Sequence, residues 1–193
     1  MVAVFYLMVW VSFKFADAED NVLAQIVSLK VKSDSLYNWS RLIFVLMIGV
    51  LMSIIATIFP VIKNVVNGFE LYTRDITILD ILISFLLHIL ISFMGIMTGL
   101  FFHPRIIMNR KASIVGIFFV SIMAYVRGPL VEDFPIWSII TWIFPPLYNV
   151  MKLFTVDDYY GVKSVSMAVI YIGSYSLILL LIHIVCLKKN RFL

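Results

Sequence analysis

Three apolar runs, residues 41–62, 78–102 and 164–187, each supply the roughly 20 residues that a helix needs to cross a bilayer core of about 30 Å. No other feature restricts the fold as strongly. In hydrocarbon each backbone N–H and C=O has to be bonded within the protein, and a helix meets that need inside its own segment. Composition agrees: 63% of residues are apolar and 13% charged, well away from the balance of soluble domains. The chain is therefore expected to be all-α, a polytopic membrane helical bundle.

Residues 112–127 give a fourth span if Lys111 and Arg127 snorkel from its two ends. Residues 1–13 are apolar but too short, and no polar flank precedes them. They are expected to be part of a span whose first turns are missing, which would make the chain N-terminally incomplete. The rival reading is a secretory signal, because Ala16-Asp17-Ala18 has small residues placed as at a cleavage site. Nothing basic precedes the run, however.

Residues 134–154 carry Pro135 and the pair Pro145-Pro146. Two adjacent prolines remove two donors and disfavour helix at Phe144, so the sequence predicts two short helices folded back on one side of the membrane. Charge parity gives an independent argument, since basic loops favour the cytoplasmic side. If this hairpin does not cross, Lys14, Lys30, Lys32, Arg41, Arg105, Arg110, Lys111, Lys188, Lys189 and Arg191 share one side, ten of the fifteen basic residues. The five remaining basic residues then face seven acids: Glu70, Asp75, Asp80, Glu132, Asp133, Asp157 and Asp158. The C-terminus falls on the cytoplasmic side and Met1 outside, which disfavours the signal reading.

The long charged interruption, Lys14 to Arg41, holds an amphipathic helix over 20–33. Asp20 is placed as its N-cap, and Lys30 and Lys32 suit the C-terminal end of its dipole. Val22, Leu23, Ile26, Val27 and Leu29 gather on one side at helical spacing. Such a face suits either a partner's groove or the headgroup layer.

Catalytic chemistry finds no support. Gly161-Val162-Lys163-Ser164 lacks the earlier glycine of a phosphate-cradling loop. His88, His103 and His183 lie on separate segments without paired acids, so neither a metal site nor a catalytic residue is assigned. A lone Cys186 excludes an internal disulfide. The net charge of +4 comes from basic residues at the joints between apolar runs, not from a phosphate-binding face, so no nucleic-acid partner is expected. His88, deep in its run, and the small-xxx-small pair Gly95 and Gly99 are read as helix-packing residues.

The acid at Glu19, the helix Val22-Leu23-Ala24-Gln25-Ile26-Val27-Ser28-Leu29, the stretch Tyr37-Asn38-Trp39-Ser40-Arg41 and the segment Ile143-Phe144-Pro145-Pro146-Leu147-Tyr148 together resemble the permease subunits of type-2 ABC exporters. The resemblance covers nearly the whole chain in topology, without the family's N-terminal elbow helix and first span. It implies that 20–33 is a cytoplasmic coupling helix, with Asp20, Val22, Leu23, Ile26 and Leu29 meeting an ABC ATPase subunit. It implies that 134–154 is an external re-entrant hairpin, which Trp142, Phe144, Pro145, Pro146 and Tyr148 would make into a gate. A second permease subunit completes the assembly, surrounded by membrane lipid. ATP and magnesium then belong to the ATPase, with no cofactor bound by this chain. Export of a hydrophobic or amphipathic peptide, toxin or drug across a bacterial plasma membrane follows from the same resemblance. The reading from another class is a non-transporting immunity or sensor subunit that binds a toxin or partner protein.

Overall fold

A computed structural model of the chain describes residues 1–18, 21–72, 74–102, 106–107, 109–155 and 160–189. In chain order these form α1 (Val2–Asp17), α2 (Asn21–Val31), α3 (Asp34–Val66), α4 (Ile78–Phe101), α5 (Arg110–Asp133), a 3₁₀ turn (Pro135–Trp137), α6 (Ser138–Thr141), α7 (Leu147–Lys152) and α8 (Val162–Lys189). Four of them, α3, α4, α5 and α8, are long and apolar enough to cross a membrane. The protein is an all-α, multi-pass membrane bundle.

Local chemistry sets the helix starts. Ser33 Oγ accepts from Leu36 N at 3.2 Å, so α3 begins well before the apolar run 41–62 and takes in Tyr37-Asn38-Trp39-Ser40 ahead of it. Its 33 residues span about 50 Å. At α4, Thr77 Oγ1 accepts from Asp80 N at 3.2 Å and Asp80 Oδ2 accepts from Thr77 N at 3.0 Å, a reciprocal capping box. Asn109 Oδ1 accepts from the first amides of α5, Lys111 N at 3.0 Å and Ala112 N at 3.2 Å. Each such cap stabilises its helix by about 1 kcal/mol.

Helix α4 is the hub. Half of its apolar window is buried, against 28%, 22% and 17% for α3, α5 and α8. It packs against α1, α3 and α8. Helix α1 runs parallel to it, because Phe5 and Met8 sit at Gly95 while Val9, Ser12 and Phe13 sit at Gly99. Helices α3 and α5 run the opposite way. Ser92 meets Gly49 of α3, while Tyr6 donates to Ser121 O at 2.9 Å and Arg110 pairs with Asp17 at 2.9 Å.

Helix α1 contributes to two apolar clusters at once. Phe5, Val9 and Phe13 join Leu87, Ile91 and Met94 of α4, Ile117 of α5 and Leu147 of α7. Val4, Met8 and Ala16 join Leu42 and Val45 of α3 with Ile96, Met97 and Leu100 of α4. Apolar side chains such as Met47, Leu51, Ile55 and Phe59 on α3, or Ile170, Leu177 and Leu181 on α8, stay exposed. In a bilayer these faces meet lipid.

The fourth span differs from its sequence expectation. Helix α5 does not end at Arg127 but continues through Gly128 and Pro129 to Asp133. Its guanidinium is therefore inside the helix's length, not at its end.

Candidate functional site

The Pro145-Pro146 break lies between α5 and α8. Helix α6 stops at Thr141, and neither proline has an N–H to continue the ladder. The last two carbonyls before the prolines are met from both neighbours: Tyr175 of α8 donates to Ile143 O at 3.2 Å, and Arg127 Nη1 of α5 donates to Phe144 O at 2.9 Å. Pro146 O then accepts from Val150 N at 3.1 Å and starts α7. The chain next returns toward the far end of α5, where Lys152 Nζ meets Glu132 Oε1 at 2.6 Å and Tyr148 donates to the same oxygen at 3.2 Å. That shared carboxylate, by hydrogen bond and then by charge, holds the Lys152 ammonium above its ordinary range.

The five residues read as a gate have unequal surroundings. Phe144, Pro145 and Pro146 are buried, with the Phe144 ring edge-on to Phe119. Tyr148 lies across α5 over Gly128, where any Cβ would collide with its ring, and edge-on to Tyr125. Trp142 is 66% exposed. Trp142, Phe144 and Pro146 border one cleft of about 460 Å³ between α4, α5, α8 and the break, whereas Tyr148 is not in its wall.

A second cavity, about 630 Å³, opens at the Thr77 end between α1, α3 and α4. Apolar Val4, Pro60, Ile81 and Phe154 share its wall with Thr57, Ser84 and His88, and the ion pair Arg74–Asp80 (2.7 Å) stands at its edge. His88 is buried, and its Nδ1 lies 2.7 Å from Ser84 O as the donor. Nε2 is therefore left as an acceptor on the α1 side, 3.3 Å from the Met1 nitrogen. No apolar pattern in the sequence could have indicated this cavity, because α1, Phe154 and Tyr160 close it against the consecutive helices α3 and α4 from distant parts of the chain.

Gly95 and Gly99 carry a backbone-level contact between α4 and α1. A Cβ at Gly95 would stand 2.7 Å from Phe5 O, and one at Gly99 would collide with Ser12 Oγ and Val9 O. Both residues face α1 within the same subunit.

At the opposite end, α2 presents Val22, Ile26 and Leu29 at 64%, 54% and 78% exposure, while Ala24 is buried. It packs on α3. Asp20 and the Leu23 side chain lie outside the described residues. Around α2, Asp17 holds Arg110 at 2.9 Å and Lys14 at 3.8 Å, and Arg41 lies over the Tyr37 and Phe15 rings. Among the described residues no three His, Cys, Asp or Glu side chains gather as metal ligands. Compared with family models, curated proteins and solved structures, the chain finds no significant match in any of the three.

Proposed function

We propose that this chain is the permease subunit of an ATP-driven ABC exporter, working with a second permease and with two ATPase subunits that bind and hydrolyse ATP. One observation carries the reading. A short helix, α2, follows α1 in the chain and packs on the long α3, with Val22, Ile26 and Leu29 exposed on it. A motor that docks on these side chains would push on α3, whose single continuous helix transmits the movement as a lever. In this reading the basic residues about Asp17 and Arg110 mark the cytoplasmic end. The broken segment 134–154 is a re-entrant hairpin on the external side, with Phe144 and the two prolines closing the passage. The cavity beside His88 suits a hydrophobic or amphipathic substrate, since its walls mix apolar side chains with a few polar groups.

The test is co-purification with a Walker-motif ATPase encoded beside this chain. Leu23→Asp with Ile26→Asp is expected to abolish both ATPase binding and substrate-stimulated hydrolysis while the permease still inserts. Undiminished motor binding in the inserted double variant would reduce α2 to a helix resting on headgroups. Binding of a partner protein without any ATPase would favour the immunity or sensor reading.

A further inference from the structure

The cavity at the Thr77 end sorts its groups by depth. Its floor holds His88, where the Met1 nitrogen already supplies a donor to Nε2 at 3.3 Å. His88 stands eleven residues beyond Thr77, roughly 16 Å along α4, so this donor and the charged rim lie at opposite ends. Between them the wall is mainly apolar, with Ala56, Pro60, Val61 and Ile81. A volume of about 630 Å³ is in the range of small-molecule sites.

The rim carries the charge. Of its charged side chains Arg74, Asp75 and Asp80, Arg74 and Asp80 are joined at 2.7 Å. The second oxygen of Asp80 accepts from Thr77 N at 3.0 Å and from Thr77 Oγ1 at 2.7 Å. No ion pair or hydrogen bond engages the Asp75 carboxylate among the described residues. Two carboxylates therefore stand against one guanidinium, and the excess is negative. Three aromatic rings border the cavity as well: the exposed Tyr72, and Phe154 with Tyr160, which pack edge-on at 5.4 Å. Ring faces attract cations through their quadrupole, and the carboxylate adds a direct charge. An apolar chamber bordered by an acid and aromatic rings fits a cation on a bulky apolar body and repels an anion of the same shape.

We propose that this cavity selects lipophilic cations, with the positive centre held between Asp75 and Tyr72 and the apolar body lying along Ala56, Pro60 and Ile81. That such a cation is also the exported substrate rests on the transport reading; the binding itself needs no ATPase.

Tetraphenylphosphonium and tetraphenylborate share a shape and differ in sign. Their equilibrium binding to the purified full chain in zwitterionic nanodiscs, with empty nanodiscs as the blank, tests the site. The cation is attracted where the anion is repelled, so their affinity ratio counts the charge twice, and tetraphenylphosphonium is expected to bind at least about tenfold more tightly. Asp75→Asn, at an exposed position, should bring the ratio to within about threefold. Val61→Trp should fill the cavity and abolish saturable binding of the cation. Tyr72→Ala, exposed and outside the helices, should weaken cation binding about threefold or more, and it decides the matter if Val61→Trp fails to insert. Equal or tighter binding of tetraphenylborate, a ratio unchanged in Asp75→Asn, or full-strength cation binding in Tyr72→Ala or in inserted Val61→Trp would each overturn the proposal, the last by placing the probe on the lipid-facing surface. Selective cation binding in a chain with which no ATPase co-purifies would keep this inference and remove the exporter reading; a bound ATPase with no cation preference would do the reverse.

Discussion

Replacing Gly99 with alanine tests whether α1 is held by backbone-level contact with α4. The added Cβ would collide with Ser12 Oγ and Val9 O, and neither can yield easily: the oxygen of Val9 is main chain, and Ser12 is buried and bonded to Met8 O at 2.7 Å. At Gly95 the distance to Phe5 O would be 2.7 Å, so α1 must retreat by roughly 0.7 Å to restore ordinary contact, and by more at Gly99. A gap of that size forfeits about a quarter to a half of each pairwise dispersion well along the seam. Overpacking of this kind costs about 1–3 kcal/mol, against which alanine's better helix propensity returns at most about 1 kcal/mol. Gly173 supplies the control, since it lies in α8 with nothing within 4 Å of its added Cβ. Thermal unfolding in detergent, followed by intrinsic tryptophan fluorescence, should therefore show Gly99→Ala destabilised by several degrees, at about 2–4 °C per kcal/mol for a chain of this size. Gly173→Ala should be unchanged or slightly more stable. Equal melting of the two variants would refute the argument that this seam depends on the absence of a side chain.

Two further outcomes are expected. In a Cys186→Ala background, an impermeant thiol reagent applied to the side bearing Glu132 should modify Asp133→Cys and Lys152→Cys alike and spare Asn109→Cys; modification of Asp133→Cys with protection of Lys152→Cys would mean that 134–154 crosses the membrane. Pro145→Ala with Pro146→Ala restores two backbone donors and favours a continuous helix, so it should lengthen α6 into α7, weaken the Arg127 and Tyr175 contacts and change basal hydrolysis by the proposed ATPase; well-inserted protein with unaltered export and hydrolysis rates would remove the gating role.

Much of the architecture could be read from run length, because the four long helices follow from the need to satisfy backbone groups in hydrocarbon. Boundaries were less legible. Tyr37 to Ser40 lie outside the apolar run that starts at Arg41, yet Ser33 caps the helix ahead of them and Arg41 stacks back over Tyr37 at helical spacing. Arg127 looked like a terminal snorkelling residue, at the end of the apolar run 112–127. The helix instead runs on, and Gly128 provides the space in which Tyr148 lies. A proline pair announces orphan carbonyls but not their partners; Arg127 and Tyr175 come from helices 17 and 32 residues away in the chain. The parallel pairing of α1 with the glycine face of α4 likewise depends on three-dimensional register that periodicity does not carry.

The seam between α1 and α4 also has a consequence for synthesis. Gly99 is translated 82 residues after Asp17 ends α1, a delay of roughly 4–16 s at about 5–20 residues per second. Throughout that interval α1 has no glycine face to receive it. Ser12 is the polar side chain that meets Gly99, and its hydroxyl turns back onto Met8 O at 2.7 Å and Val9 O at 3.1 Å, both within α1. At the glycine seam the nascent helix thus carries Ser12's hydrogen-bond partners while its binding surface on α4 is still being made, and the seam can close late without exchanging that polar bond.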